Sequence, residues 1–176
     1  STRPTAVDLR WALEIILKNI LKFKEKDRTD YLWNFCKKLE ENSINQCSKI
    51  GDYGFEIIKS KIIKGKTFNI LTHCNAGWLA CVDWGTALAP IYKSYNAGLD
   101  IHVWVDETRP RSQGAALTAW ELSKHGVPNT LIVDNAGGHL MQSKKVDMCI
   151  VGSDRTASNG DVCNKIGTYM KALCAF

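Results

Sequence analysis

The feature that most constrains this chain is a change of hydrophobic period at Thr67. Upstream, apolar residues recur at helical spacing. Downstream, four short β-rich runs (residues 68–71, 101–105, 130–133 and 148–151) alternate with helix-length patterns. That alternation predicts βαβ units and a parallel sheet covered by helices. The expected helices span residues 78–97, 113–125, 138–143 and 161–175, with Gly98 and Gly126 at two of their C-termini. Each strand run ends in a polar cluster. The clusters are Thr72-His73-Cys74-Asn75-Ala76-Gly77, Asp106-Glu107-Thr108-Arg109-Pro110-Arg111, Asp134-Asn135-Ala136-Gly137-Gly138 and Gly152-Ser153-Asp154-Arg155. Strand carboxyl ends are where an open α/β sheet gathers its chemistry.

Residues 5–64 read as helical. Val7, Trp11 and Ile15 form a stripe that Leu13, Ile16, Leu17 and Ile20 widen, and Pro4 suits a first turn. A charged stretch over 23–30 breaks the pattern. A second helix is expected over 31–63, weakest at Ile50-Gly51-Asp52-Tyr53-Gly54 and closed by Lys64-Gly65-Lys66. The fold class expected is therefore α/β, a Rossmann-like parallel sheet with flanking helices. Residues 1–65 form a helical segment, the end of an N-terminal helical domain and its connecting helices. Residues 66–176 form the α/β domain, truncated at its C-terminus. The sequence opens at Ser1 without a methionine and stops at Phe176 directly after a helical pattern, so a piece of a longer protein is expected.

Composition narrows the function. Hydrophobic residues make up 45% of the chain, enough for a core without disulfide staples. The net charge of +5 collects at Lys18, Lys22, Lys24, Lys26, Lys37 and Lys38 among acidic neighbours, which suits a solvated helix face and not a nucleic-acid footprint. The seven cysteines show neither CxxC nor zinc-finger spacing, and reduced thiols in the cytoplasm are expected. No apolar run reaches membrane-spanning length.

Several residues carry candidate chemistry, each with a plainer alternative. A thiolate at Cys74 can act as base or nucleophile, or the residue can be a small buried hydrophobe. His73 reads as a structural hydrogen-bonder and Cys81 as packing. Asp154, released by Gly152, can face the crevice or cap the next turn. Arg155 can pair with it or with a phosphate. Asn159-Gly160-Asp161 is expected just before the last helix, with Asn164 and Lys165 in its first turn. Backbone N–H groups, the helix dipole and Lys165 would favour an anion there, while a plain turn with an N-cap is the alternative. Arg109 and Arg111 suit phosphate or sugar hydroxyls, or pair with Asp106 and Glu107. No Walker or GxGxxG motif supports a nucleotide site.

Together, five motifs resemble those of S-methyl-5-thioribose-1-phosphate isomerase, a methionine-salvage family. They are Arg3-Pro4-Thr5-Ala6-Val7, the Cys74 cluster, the Asp106–Arg111 cluster with Gln113-Gly114, the Asp154 cluster, and Asn159-Gly160-Asp161 with Asn164-Lys165-Ile166-Gly167-Thr168. The motifs run in the family's order over residues 1–13 and 66–174, while residues 14–64 carry little of the signal. The resemblance implies an aldose–ketose isomerase that converts 5-methylthioribose 1-phosphate to 5-methylthioribulose 1-phosphate. It implies Cys74 as the catalytic cysteine and Asp154 as the acid/base carboxylate. Arg3, Gln113, Asn164 and Lys165 would hold the sugar phosphate. It further implies a cytoplasmic homodimer with a small-molecule substrate and neither metal nor organic cofactor. The family's Arg-Gly-Ala-Pro-Ala phosphate loop does not occur in these residues, so an incomplete site is expected. A 5-deoxyribose-1-phosphate isomerase would carry the same motifs. A ribose-1,5-bisphosphate isomerase would need a second basic cluster. Regulatory subunits of the translation-initiation guanine-exchange factor share the fold as binding proteins, for which the Cys74 and Asp154 set has no evident use.

Overall fold

The computed structural model describes residues 7–176. Two helices come first, α1 (Asp8–Ile20) and α2 (Arg28–Lys61), joined through a short 3-10 turn at Glu25–Asp27. The charged break is thus real but shorter than the sequence predicts. Phe23 stacks on Tyr31 with ring centroids 4.2 Å apart, folding the turn back onto α2. The expected apolar stripe of α1 is only partly covered: Val7, Trp11, Leu13 and Leu17 are exposed, while Ile15, Ile16 and Ile20 are half-buried. Pro4 lies outside the described residues.

Helix α2 runs without interruption through Gly51 and Gly54, the expected weak point. Packing explains the glycines. The short helix α3 (Ala89–Asn96) lies directly against them. A Cβ on Gly54 would sit 2.3 Å from Pro90 Cγ, and one on Gly51 would sit 2.9 Å from Lys93 Cε. Lys93 Nζ then donates to Ser48 Oγ at 2.9 Å and to Asp52 Oδ1 at 2.5 Å. Ile58, further along α2, is fully buried in the core beside Ile70, Leu88, Ile91 and Val103.

The four expected strands form one parallel sheet. They are β1 (Phe68–His73), β2 (Ile101–Asp106), β3 (Asn129–Ile132) and β4 (Met148–Val151), in the order β3-β2-β1-β4. β1 runs beside β2 from Phe68–Ile101 to His73–Asp106, and beside β4 from Ile70–Met148 to His73–Val151. Central β1 is apolar through Ile70 and Leu71 because both sheet faces are covered. Helices α4 (Ala119–His125), with a π-helical turn at Gly114–Thr118 before it, and α5 (Ala136–Gln142) fall close to expectation.

Two expected helices are shorter than the sequence suggests. Of residues 78–97 only α3 is helical. Trp84 and Gly85 adopt positive φ, +62° and +77°, and the chain doubles back so that Gly85 lies on the backbone of Gly77. The Thr86 N–H donates to the Ala76 carbonyl at 2.8 Å. The segment before α3 is therefore a folded loop, and Cys81 sits in that loop. Of residues 161–175 only α6 (Thr168–Ala175) is helical. The preceding residues close a small antiparallel hairpin, β5 (Arg155–Thr156) with β6 (Val162–Cys163), turned at Asn159-Gly160-Asp161.

The α2–α3 contact gives a test. In a bare helix, Gly→Ala would stabilise by about 1 kcal/mol. At Gly54 the added methyl meets a rigid proline ring, and overpacking of this kind costs about 1–3 kcal/mol. Gly54→Ala should therefore lower the urea midpoint. A raised midpoint would mean that α3 moves off α2 at little cost.

Candidate functional site

Strand order places the site. The chain builds outward through β1, β2 and β3, then returns to the other side of β1 for β4. Such a reversal opens a crevice between the carboxyl ends of the two strands flanking it. Cys74 follows β1 directly, and Asp154 lies three residues past β4. Their loops touch: a Cβ on Gly152 would lie 2.8 Å from Ala76 Cβ.

Cys74 is held in a left-handed conformation, φ +65°. A non-glycine residue there is uncommon and costs of order 1–3 kcal/mol unless neighbours enforce it. Both of its backbone polar groups are enforced. The Cys74 N–H donates to Thr108 Oγ1 at 2.7 Å, and Thr118 Oγ1 donates to the Cys74 carbonyl at 2.6 Å. Thr108 itself has φ +69°, and its hydroxyl donates to the Asp106 carbonyl at 2.9 Å. Its N–H and that of Arg109 donate to the two oxygens of Asp134, at 2.9 and 2.7 Å. The cysteine is half-buried.

His73 has the structural role that the sequence suggests. Its ring is buried, Nδ1 lies 2.8 Å from Asp106 Oδ2, and Nε2 donates to the Ile166 carbonyl at 2.8 Å. Lys171 Nζ, on α6 and almost fully buried, pairs with the same Asp106 oxygen. These bonds tie the ends of β1 and β2 to the loop before α6. Gly167, at φ +101°, packs at the His73 ring, where a Cβ would lie 3.1 Å from Nε2.

That loop carries Asn164 and Lys165, both half-buried. They precede α6 and do not lie in its first turn, which corrects the sequence expectation. The hairpin brings them to the crevice instead: the Asp154 N–H donates to the Cys163 carbonyl at 3.0 Å, one residue before Asn164. Asn164 Nδ2 donates to Thr168 Oγ1 at 3.1 Å. Gln113 comes to the same strand ends through Gly114, whose Cα packs on the Asp106 carbonyl so tightly that a Cβ would lie 1.7 Å from that oxygen. The buried Gln113 Oε1 has no hydrogen-bond partner among the described residues. Arg3 lies outside the described residues.

Sequence reasoning missed the residues that hold the site: Thr108, Thr118, Glu121 and Lys171. Glu121 is fully buried, and burial pushes its carboxyl pKa up. Burial likewise raises the Cys149 thiol, and it pushes Cys81, beside Cys47, up to about 12. His73, Asp106 and Asp134 bring ligand atoms within 4.8 Å of one another. Ile166, Lys171 and the Thr108 and Arg109 N–H groups engage His73 Nε2, Asp106 Oδ2 and both Asp134 oxygens, while Asp106 Oδ1 is buried with no hydrogen-bond partner among the described residues. A mostly apolar cavity of about 510 Å³ opens beside this cluster, between Arg109-Pro110, α5 and α6. No described helix is long and apolar enough to cross a membrane.

A parallel sheet with a polar cluster at its switch point defines an α/β protein of the Rossmann-like class. A model of the Initiation factor 2 subunit family matches residues 1–176, and the chain belongs to that family. A methylthioribose-1-phosphate isomerase from Methylobacterium nodulans is 58% identical over 176 residues, covering 100% of this chain and 48% of its own length. One from Escherichia coli is 56% identical over 177 residues, covering 99% and 47%. The chain thus spans about half the length of the curated relatives it matches. The crystal structure of the 5-methylthioribose 1-phosphate isomerase from Pyrococcus horikoshii superposes with a TM-score of 0.87 at 41% identity, covering 99% of this chain and 48% of that one. A structure titled translation initiation factor eIF-2B, subunit delta, from A. fulgidus gives 0.82, also at 41%, covering 99% and 49%.

The buried ion pair makes a second test. Lys171→Met leaves the Asp106 carboxylate buried without its ammonium partner, a loss of about 3–5 kcal/mol for such pairs. Adding Asp106→Asn should recover part of that loss in urea unfolding. A combined loss equal to the sum of the Lys171→Met and Asp106→Asn losses measured singly would show that the two groups are not coupled.

Proposed function

We propose that the protein carrying this chain is an aldose–ketose isomerase of methionine salvage, converting 5-methylthioribose 1-phosphate to 5-methylthioribulose 1-phosphate. The observation that carries the reading is the convergence of the Cys74, Asp154 and Asn164-Lys165 loops on one switch-point crevice. It is supported by 58% identity, along the whole chain, to a protein named for that reaction. The reading includes a cytoplasmic homodimer that binds no nucleic acid and uses no metal or organic cofactor.

The chemistry asked of the site follows from the substrate. The anomeric oxygen carries the phosphate, so the sugar is locked as a ring. Asp154 protonates the ring oxygen as it leaves C1. Hydrogen must then move from C2 to C1 while the C2 hydroxyl becomes a ketone. In an enolate route the Cys74 thiolate takes the C2 proton. In a hydride route the same thiolate stabilises the positive charge that develops before the shift. Lys165, Asn164, Gln113 and Arg3 hold the phosphate and hydroxyl groups.

The test is a phosphorus NMR time course on the full-length gene product with 5-methylthioribose 1-phosphate and 5-deoxyribose 1-phosphate. The first should give a ketose 1-phosphate, the faster of the two. Cys74→Ser and Asp154→Asn should each slow turnover by about a hundredfold or more with little change in melting temperature. Lys165→Ala should act mainly on KM. Deuterium at C2 separates the routes, since it is retained at C1 in a hydride shift and lost to water through an enolate. A folded protein that converts neither sugar would instead favour the reading as a binding protein.

A further inference from the structure

The side chain that the proposed reaction leaves without a role is Glu121. It is fully buried, and the donors around it are an amide, a backbone N–H and the Tyr92 hydroxyl, not a cation. Oε1 accepts from Asn75 Nδ2 at 3.1 Å, and Oε2 accepts from the Leu79 N–H at 3.1 Å. The chain makes room for it at the loop itself. A Cβ on Gly77 would lie 1.5 Å from Oε1, so only glycine fits there. A buried carboxylate that meets no counter-ion is costly, and an apolar residue of similar volume would serve the core better. The carboxylate nevertheless sits under the loop that carries Cys74.

We propose that Glu121 is a positioning residue for Cys74, acting through Asn75 and Thr118. The argument is one of donors and acceptors. Asn75 Nδ2 has two hydrogens, one directed at Glu121 and the other at Thr118 Oγ1, 3.0 Å away. Because the Thr118 hydroxyl accepts from Asn75, its own hydrogen is free to reach the Cys74 carbonyl. An acceptor-only group at position 121 therefore fixes the Asn75 amide, the amide fixes the Thr118 rotor, and the rotor holds Cys74 at positive φ. The π-helical turn at Gly114–Thr118 sets Thr118 and Glu121 on one side of the same helix, facing the loop. Such turns recur at functional sites.

Glu121→Gln keeps the volume and replaces one acceptor oxygen with a donor. If that donor faces Asn75, the Asn75 amide must turn over. Its oxygen then faces Thr118, which has one hydrogen for two acceptors. If it faces Leu79 instead, two donors meet. Either way the order of the network is lost without a cavity. This inference rests on Cys74 being the catalytic cysteine.

Two measurements on the full-length protein test it. In the first, iodoacetamide labelling of Cys74 is followed by peptide mass spectrometry across pH, with exposed Cys163 as reference. In the second, kcat and KM are measured separately. Glu121→Gln should change the Cys74 labelling rate relative to Cys163 and lower kcat by up to about a hundredfold, as small misplacements of a reacting group do, with KM little changed. Thr118→Val should reproduce both effects, and Thr118→Ser should restore them towards wild type. Folded variants with a wild-type Cys74 profile and wild-type kcat would overturn the proposal. Should Glu121→Gln not fold, the Thr118 pair decides by the same two criteria. Should the wild type show no isomerase turnover, the proposed function falls, and the labelling arm alone decides whether Glu121 positions Cys74.

Discussion

The Asp106 carboxylate is the group on which the geometry of the crevice depends. It ends β2 with no exposure to solvent, it takes the Lys171 ammonium, and it faces His73 Nδ1. Those contacts join three parts of the chain that are far apart in sequence. His73 ends β1, and its other nitrogen holds the Ile166 carbonyl. Lys171 anchors α6. Without this cluster, neither the Asn164-Lys165 loop nor the Cys74 turn has a fixed distance to the sheet. The carbonyl of the same residue accepts from Thr108 and backs onto Gly114, so the Gln113 loop is referenced to the same point.

Two of the five non-glycine residues at positive φ among the described residues meet at this site. Cys74 and Thr108 are both in the left-handed region, and one donates a hydrogen bond to the other. Each conformation costs of order 1–3 kcal/mol and persists only when several contacts enforce it. The enforcing groups come from β2, from the π-helical turn and from Asp134. Rigid elements surround the cysteine on all these sides, which suits a group that must be held and not one that must move.

The sheet was legible because its strands at 68–71, 101–105 and 148–151 read as short β-rich runs bounded by polar clusters, and central β1 is buried along nearly its whole length. The polar clusters at their ends were legible with them. The segment before α3 was not. Trp78, Leu79, Ala80, Cys81 and Val82 have no local feature that forbids a helix, and the loop exists because Gly85 folds back on Gly77, a contact invisible to periodicity. The hairpin β5–β6 was missed because two-residue strands carry no period. Lys171 was missed because a lysine on an amphipathic helix reads as a surface residue. The signal for Glu121 was present but faint: it shares a helical face with Thr118, Leu122 and His125, where a carboxylate next to a buried leucine is out of place.

Fold alone does not decide between an isomerase and a translation initiation factor subunit, since solved chains titled as each superpose on this one at the same 41% identity. The distinction has to come from what each function would tolerate at the strand ends. A binding scaffold gains nothing from a cysteine held at positive φ, because a glycine would adopt that turn without strain. It gains nothing from a buried carboxylate beneath the turn either, because an apolar side chain would pack there at lower cost. An enzyme gains from both, since chemistry requires a thiol at a fixed position and orientation, and small displacements are expensive in rate. The chain accepts these local costs together, at one crevice, which supports the proposed isomerase over a binding scaffold.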